Sequence, residues 1–193
     1  MQDSESSIKE QSILDSIEDF PEPDLSPNSG WSDIQIKGVY RPDRSFVHSD
    51  PAGKRLRVEF FPLEEDNSFQ GKVWFGPLAE GPPGCAHGGS IAAILDDAMG
   101  RCCWAAGYMV LAGRIIIDYR RRVSLKKVHC IKAWIEKIDG RKVLAKSIIQ
   151  DRKGKLLSEG EGTFIQIDPD QFEREKAKLE SQGYFSKDTE VSL

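Results

Sequence analysis

The sequence predicts an α+β domain in which a curved antiparallel sheet wraps around one buried helix. Three observations predict it. Residues 90–106, SIAAILDDAMGRCCWAA, form one long helical pattern that is apolar nearly all round, and such a helix needs burial on most sides. Four strand-like runs follow in a row, about 110–122, 128–138, 141–151 and 156–167. The last of these are joined by tight turns, which forces neighbouring strands to run antiparallel.

The elements follow in order. Residues 1–20 match a short acidic helix with Ile13, Leu14 and Ile17 on one side, and Pro21–Asn28 reads as a linker. Residues 31–54 are irregular, with Pro42, Pro51 and Gly53 as punctuation. Arg55–Phe61 and Phe69–Phe75 alternate as strands around a turn at Glu65-Asp66-Asn67. A Gly/Pro loop, Gly81-Pro82-Pro83-Gly84, leads to the helix, which Gly107 ends as a C-cap. Asp139-Gly140 is a hairpin signal and Lys153-Gly154 marks the next turn. Asp168-Pro169 starts a charged tail helix over 169–182. Two strands, one central helix and four consecutive strands make the hotdog arrangement. The expected organisation is an acidic leader over 1–30, a hotdog domain over 31–168, and a charged helix and tail over 169–193.

Composition narrows the function. With 193 residues and 39% hydrophobic content the chain supports a packed core. No apolar run reaches the roughly 18 residues that span a bilayer. The four cysteines include adjacent Cys102 and Cys103 and no CxxC pair, so free thiols in a reducing compartment are expected. Neither a disulfide framework nor a zinc site is expected. The net charge of −4 is uneven: residues 1–30 carry eight acids against Lys9, leaving the remainder positive. Residues 114–127 hold Arg114, Arg120, Arg121, Arg122, Lys126 and Lys127 against Asp118 alone. That local basic surface suits a small anionic ligand and falls short of a nucleic-acid face. The first twenty residues lack an apolar signal core or an Arg-rich presequence, and Val191-Ser192-Leu193 is not a peroxisomal tail. A cytoplasmic location is expected.

On a helix turning about 100° per residue, Ile91, Leu95, Ala98, Met99 and Cys102 share the core face. Asp97 has Arg101 four residues on and is expected to pair with it. Asp96 has only Ala92, Ala93, Met99 and Gly100 as helical neighbours. Its carboxylate either serves a substrate and a water or meets a distant partner such as Arg114 or Arg120. His87-Gly88-Gly89 precedes this helix, where free backbone N–H groups and the helix dipole can hold an oxyanion. The bland alternative is a Gly-rich cap, with His87 or Ser90 as capping residue. Gly88-Gly89-Ser90-Ile91-Ala92 also approaches a nucleophile elbow, but Pro82-Pro83-Gly84 stands where the required strand would be.

Gly81-Pro82-Pro83-Gly84, His87-Gly88-Gly89 and Asp96 nine residues after His87 resemble the HGG (PaaI-like) thioesterase superfamily. The likeness is nearest to thioesterase superfamily members 4 and 5. Asp118-Tyr119-Arg120-Arg121 and Asp139-Gly140-Arg141-Lys142 are similar to two further motifs of that group, and the likeness covers roughly residues 55–168. The resemblance implies a homodimer or dimer of dimers that hydrolyses acyl-coenzyme A, with no metal or redox cofactor and with sites between subunits. It implies that the backbone around Gly88 and Gly89, beside His87, polarises the thioester carbonyl. It gives Asp96, from the partner helix, the role of general base or nucleophile. Asp118, Arg120, Arg141 and Lys142 would line the coenzyme A channel. Alternation places Arg114, Asp118, Arg120 and Arg122 on one strand face; the alternative for that cluster is a cross-paired exposed surface. Two positions depart from the pattern. Ala112 stands where relatives carry a Thr that holds the attacking water, and Asp118 stands where they carry Asn. Those departures leave open a non-catalytic hotdog that binds acyl-coenzyme A or a protein partner. A hydratase is disfavoured because no His follows Asp96 before His129.

Overall fold

The computed structural model describes residues 22–29, 31, 45–50, 53–62 and 68–181. The leader helix expected over 1–20, the turn at Glu65-Asp66-Asn67 and the last residues of the tail lie outside them. Residues 22–28 carry no regular secondary structure.

Alternating apolar side chains decide the strands, which are β1 (Leu56–Pro62), β2 (Phe69–Phe75), β3 (Val110–Tyr119), β4 (Val128–Asp139), β5 (Lys142–Gln150) and β6 (Leu156–Gln166). They form one antiparallel sheet in the order β1-β2-β4-β5-β6-β3. The helix α1 (Gly88–Ala105) packs on its concave face against β3, β4, β5 and β6. A second helix, α2 (Pro169–Ser181), follows β6. The hotdog arrangement is therefore the observed one. No helix among the described residues is long and apolar enough to cross a membrane.

Small residues in the middle of the sheet make room for α1. On β5 the inward positions are Val143, Ala145, Ser147 and Ile149; on β6 they are Ser158, Gly160, Gly162 and Phe164. The pairs Ser147↔Gly160 and Ala145↔Gly162 form a trough. Leu95 and Met99, fully buried, descend into it. A Cβ on Gly160 would come 3.1 Å from Ile117 Cδ1 and 3.4 Å from Leu95 Cβ. Ser147 Oγ donates to the Leu95 carbonyl at 3.0 Å, which fixes the helix along its axis. A Cβ on Gly162 would lie 2.3 Å from Phe164 Cε2 and 3.2 Å from Met99 Sδ. Gly162→Val is therefore expected to cost about 1–3 kcal/mol through overpacking. Thermal unfolding measures this, and an unchanged midpoint would show that Phe164 yields freely.

The ends of α1 are closed locally. His87 is its N-cap, and Gly107 takes φ 84 after the last turn. The Tyr108 N–H then reaches the Cys103 carbonyl at 2.9 Å and the Gly107 N–H the Trp104 carbonyl at 3.0 Å, a Schellman closure that needs the left-handed glycine. Trp104 Nε1 donates to the Val110 carbonyl, and its ring meets Phe172 of α2 edge-on at 5.8 Å. Gly140, at φ 57, makes the tight β4–β5 turn expected from Asp139-Gly140.

One strand is shorter than its alternation predicts. The run expected over 110–122 ends as β3 at Tyr119. Val123 is drawn into the core at 1% exposure, and its carbonyl accepts the Ala86 N–H. Burying Val123 in the core pulls the chain off the sheet after Tyr119; Arg120 stays beside Asp118 on the exposed side, cross-paired with Glu159. A β-bulge between Ala112 and Arg114 also breaks the period. Arg114, Ile116 and Asp118 remain together on the exposed side.

Candidate active site

The Gly/Pro loop is folded as a platform for the N-terminus of α1. The His87 N–H donates to the Ala79 carbonyl at 2.7 Å, and isolated bridges join Glu80 to Ala86 and Cys85 to Ser124. Gly81 lies so close beneath His87 that a Cβ there would be 2.8 Å from His87 Cα. His87 Nδ1 accepts the Gly89 N–H at 3.0 Å. The Ser90 and Ile91 N–H groups both donate to the His87 carbonyl. Of the first four helix N–H groups, only that of Gly88 has no partner among the described residues. His87, and not Ser90, is the cap. Tyr119 at the end of β3 donates its hydroxyl to the Gly88 carbonyl at 3.0 Å, holding this turn against the sheet edge.

The two aspartates of α1 face opposite flanks. Asp97 Oδ2 accepts from Arg101 Nε at 2.7 Å, the expected pairing, and is 3.0 Å from His48 Nε2. The Arg101 guanidinium lies over the Phe60 ring on β1 at 5.6 Å. Burial opposes the Asp97 charge, but His48 and Arg101 outweigh it and hold the carboxyl below its ordinary 3.8. About 100° round the helix, Asp96 lies on the flank of Met99 and Cys103. Those two residues pack with Val110, Val143 and Phe164 at the β3 end of the sheet. Asp96 is half-buried and has no hydrogen bond or ion pair among the described residues. Burial first, and the Asp97 charge second, push its carboxyl above 3.8. A half-buried carboxylate without a partner is costly, and its raised pKa is the form a general base takes.

Neither distant partner reaches Asp96. Arg120 is bound to Glu159 Oε1, with Nε at 2.6 Å, and to Asp118 Oδ2 at 3.3 Å. Arg114 is exposed. Leu95 and Met99 face the core.

The remaining expected residues are not assembled within one chain. Gly88 and Asp96 are eight residues apart on α1, about 12 Å along the axis. Lys142 pairs with Ile165, which pairs with Leu111, whereas Asp118 pairs with Glu159. Seven positions along β3 separate those levels, roughly 20 Å. Arg141 Nη2 donates to the Gln166 carbonyl at 3.0 Å at that far end. Asp118, Arg120 and the turn of Gly88 form one group; Arg141 and Lys142 form another. Sequence reasoning missed His48, whose contact with Asp97 spans 49 residues and leaves no local pattern. It quoted Tyr119 within a motif but gave it no role.

Residues 83–158 match the family model of the thioesterase superfamily. The acyl-coenzyme A thioesterase THEM4 of Rattus norvegicus is 36% identical over 103 residues, covering 53% of this chain and 43% of that protein. The acyl-coenzyme A thioesterase THEM5 of Homo sapiens is 24% identical over 162 residues, covering 72% and 65%. The chain thus spans less than half the length of the rat relative. Among solved structures, E. coli PaaI, from the phenylacetic acid degradation operon, superposes with a TM-score of 0.54 at 16% identity, covering 62% of this chain and 86% of that one. Zebra fish thioesterase superfamily member 2 does so at 0.55 and 17% identity, covering 65% and 91%. These structural likenesses concern the fold. The match to the thioesterase superfamily model runs over the loop, α1 and the following strands.

Proposed function

We propose that this chain is an acyl-coenzyme A thioester hydrolase whose active sites are completed by a second copy. The carrying observation is Asp96: a half-buried carboxylate of raised pKa, unpartnered among the described residues, on the flank facing the free edge of the sheet. The identity to proteins named acyl-coenzyme A thioesterases supports the substrate class.

The step balances without a further reagent. Asp96 takes a proton from water, and the hydroxide oxygen adds to the thioester carbonyl carbon. The oxyanion is met by the Gly88 N–H at the positive end of α1. The carbon–sulfur bond then breaks, and the coenzyme A thiolate takes up the proton. Direct attack by the Asp96 carboxylate, followed by hydrolysis of the anhydride, uses the same groups.

Separation within one chain supports the homodimer. A carbonyl cannot touch two groups about 12 Å apart. β3 is an edge strand exposing Leu111, Ile116 and Tyr119. A second β3 running antiparallel would bring the partner's Lys142 level towards Asp118 and Arg120. Coenzyme A would then meet Asp118 and Arg120 from one chain and Arg141 and Lys142 from the other. Ile116→Arg is expected to halve the mass seen by sedimentation equilibrium and to abolish thiol release. An active monomeric wild type would refute this assembly.

Subunit complementation tests the composite site. Asp96→Asn and Gly88→Val chains are each expected to be inactive. Co-expressed, they are expected to regain about a quarter of wild-type thiol release, because half the dimers are mixed and each holds one intact site. No recovery in folded mixed dimers would place each site within one chain. A second reading, an acyl-coenzyme A-binding hotdog without turnover, is favoured by the hydroxyl-free Ala112 and by the bond that engages the Gly89 N–H.

A further inference from the structure

A cleft of about 470 Å³ lies at one end of the sheet, between the end of β2, the start of β4, the β5–β6 turn and residues 22–24. Trp74 and His129 line it, with Lys126, Lys127, Arg152 and Lys153 around its rim. Its volume is in the range of small-molecule sites.

Three features go beyond a solvated basic surface. First, the acids that also line the cleft make no direct ion pair with Lys127, Arg152 or Lys153. Glu22 pairs with Arg57, Asp24 accepts the Ser26 N–H, and Asp151 accepts the N–H groups of Lys153 and Lys155. Lys127, Arg152 and Lys153 are in no direct ion pair among the described residues. Asp24 acts on Arg152, and Asp151 on the Lys153 charge, only through space, which leaves the rim in cationic excess over the two carboxylates. Second, His129 is 3% exposed, and its Nε2 donates to the Ser124 carbonyl at 2.9 Å. Its Nδ1 is buried with no partner among the described residues. A carbonyl only accepts, so Nε2 carries the proton. Burial lowers the pKa of this imidazole below 6.5, so Nδ1 is a bare acceptor waiting for a donor. Third, Lys126 holds φ 60, with its N–H bound to the Phe75 carbonyl at 2.7 Å. Glycine would take that conformation without strain. The lysine side chain is what the position adds.

Unpaired cations select an anion, and a buried acceptor selects a hydroxyl or amine donor on the same molecule. We propose that this cleft is a second ligand site, for a small phosphate ester that carries a hydroxyl group, distinct from the Asp96 site. The phosphate lies among Lys127, Arg152 and Lys153. The hydroxyl donates to His129 Nδ1.

Calorimetric titration of the full chain with glycerol 3-phosphate, fructose 1,6-bisphosphate and inorganic pyrophosphate tests this. At least one of the two esters is expected to bind saturably, about tenfold tighter than pyrophosphate, which lacks an alcohol hydroxyl reaching beyond its phosphates. The triple variant Lys127→Ala/Arg152→Ala/Lys153→Ala is expected to weaken that binding by at least about tenfold, and Asp96→Asn to leave it unchanged. In ¹⁵N spectra the His129 Nδ1 resonance is expected to move upfield on saturation with the bound ester. Absence of saturable binding by both esters up to about 10 mM overturns the site. So does binding indifferent to the triple variant, or an unmoved Nδ1 resonance. A loss of binding in Asp96→Asn would show that the ester occupies the site proposed for acyl-coenzyme A instead.

Discussion

Replacing Asp96 with Asn is expected to lower thiol release from acyl-coenzyme A by about 10²–10⁴-fold, the range a positioned proton acceptor contributes. The fold is expected to lose nothing. Asp96 has a raised pKa in the folded chain, so the favourable contribution of its protonated form is complete below the unfolded pKa near 3.8. That contribution is lost as pH rises through the folded value. At neutral pH the ionised carboxylate therefore burdens the native state, and the neutral amide relieves it. Thermal unfolding at pH 7 is expected to show the variant at least as stable as wild type. The acid limb of kcat/KM in the wild type is expected above the ordinary carboxylate range, rising with pH as Asp96 ionises. A variant that unfolds more easily and keeps its activity would make Asp96 a structural charge.

Asp97→Ala carries the opposite expectation. Arg101 and His48 both rest on this carboxylate, and the Arg101 side chain is only 14% exposed. Removing one member of such a network strands the other, at a cost of about 2–4 kcal/mol. The Asp97 pKa is depressed in the folded chain. Its stabilisation is therefore present above the unfolded value near 3.8 and fades as pH falls through the folded one. The deficit of the variant, measured by chemical denaturation, is expected at pH 7 and to shrink in that acid window. Losing the Asp97 charge also removes one of the two causes that raise Asp96. The acid limb of activity is expected to move to lower pH, while residual turnover persists. A variant as stable as wild type would show that water replaces the lost partner.

The contrast between the two aspartates was legible in the local sequence. Arg101 stands one helical turn beyond Asp97, whereas Asp96 is surrounded by Ala, Met and Gly; spacing on a helix decides both. The loop before α1 was legible as a ligand-approach site through its glycines, but its hydrogen bonds were not. That His87 Nδ1 takes the Gly89 N–H depends on a rotamer, and that Tyr119 braces Gly88 depends on where β3 ends. The end of β3 was read three residues too late because strand alternation continues through Arg120 and Arg122. Only the burial of Val123 in the core breaks it.

By itself the sequence determined the element order, the antiparallel connections, the buried face of α1 and the pairing of Asp97 with Arg101. Each follows from periodicity or turn chemistry within a few residues. Tertiary structure alone decided the trough of Ala145, Ser147, Gly160 and Gly162 that admits the helix, and the clasp of His48 on Asp97. It also decided the wide separation of Gly88 from Asp96 and of Arg141 and Lys142 from Asp118 and Arg120. Those relations join residues far apart in the chain, whose distances are set by sheet register and helix rise, and no local pattern encodes either.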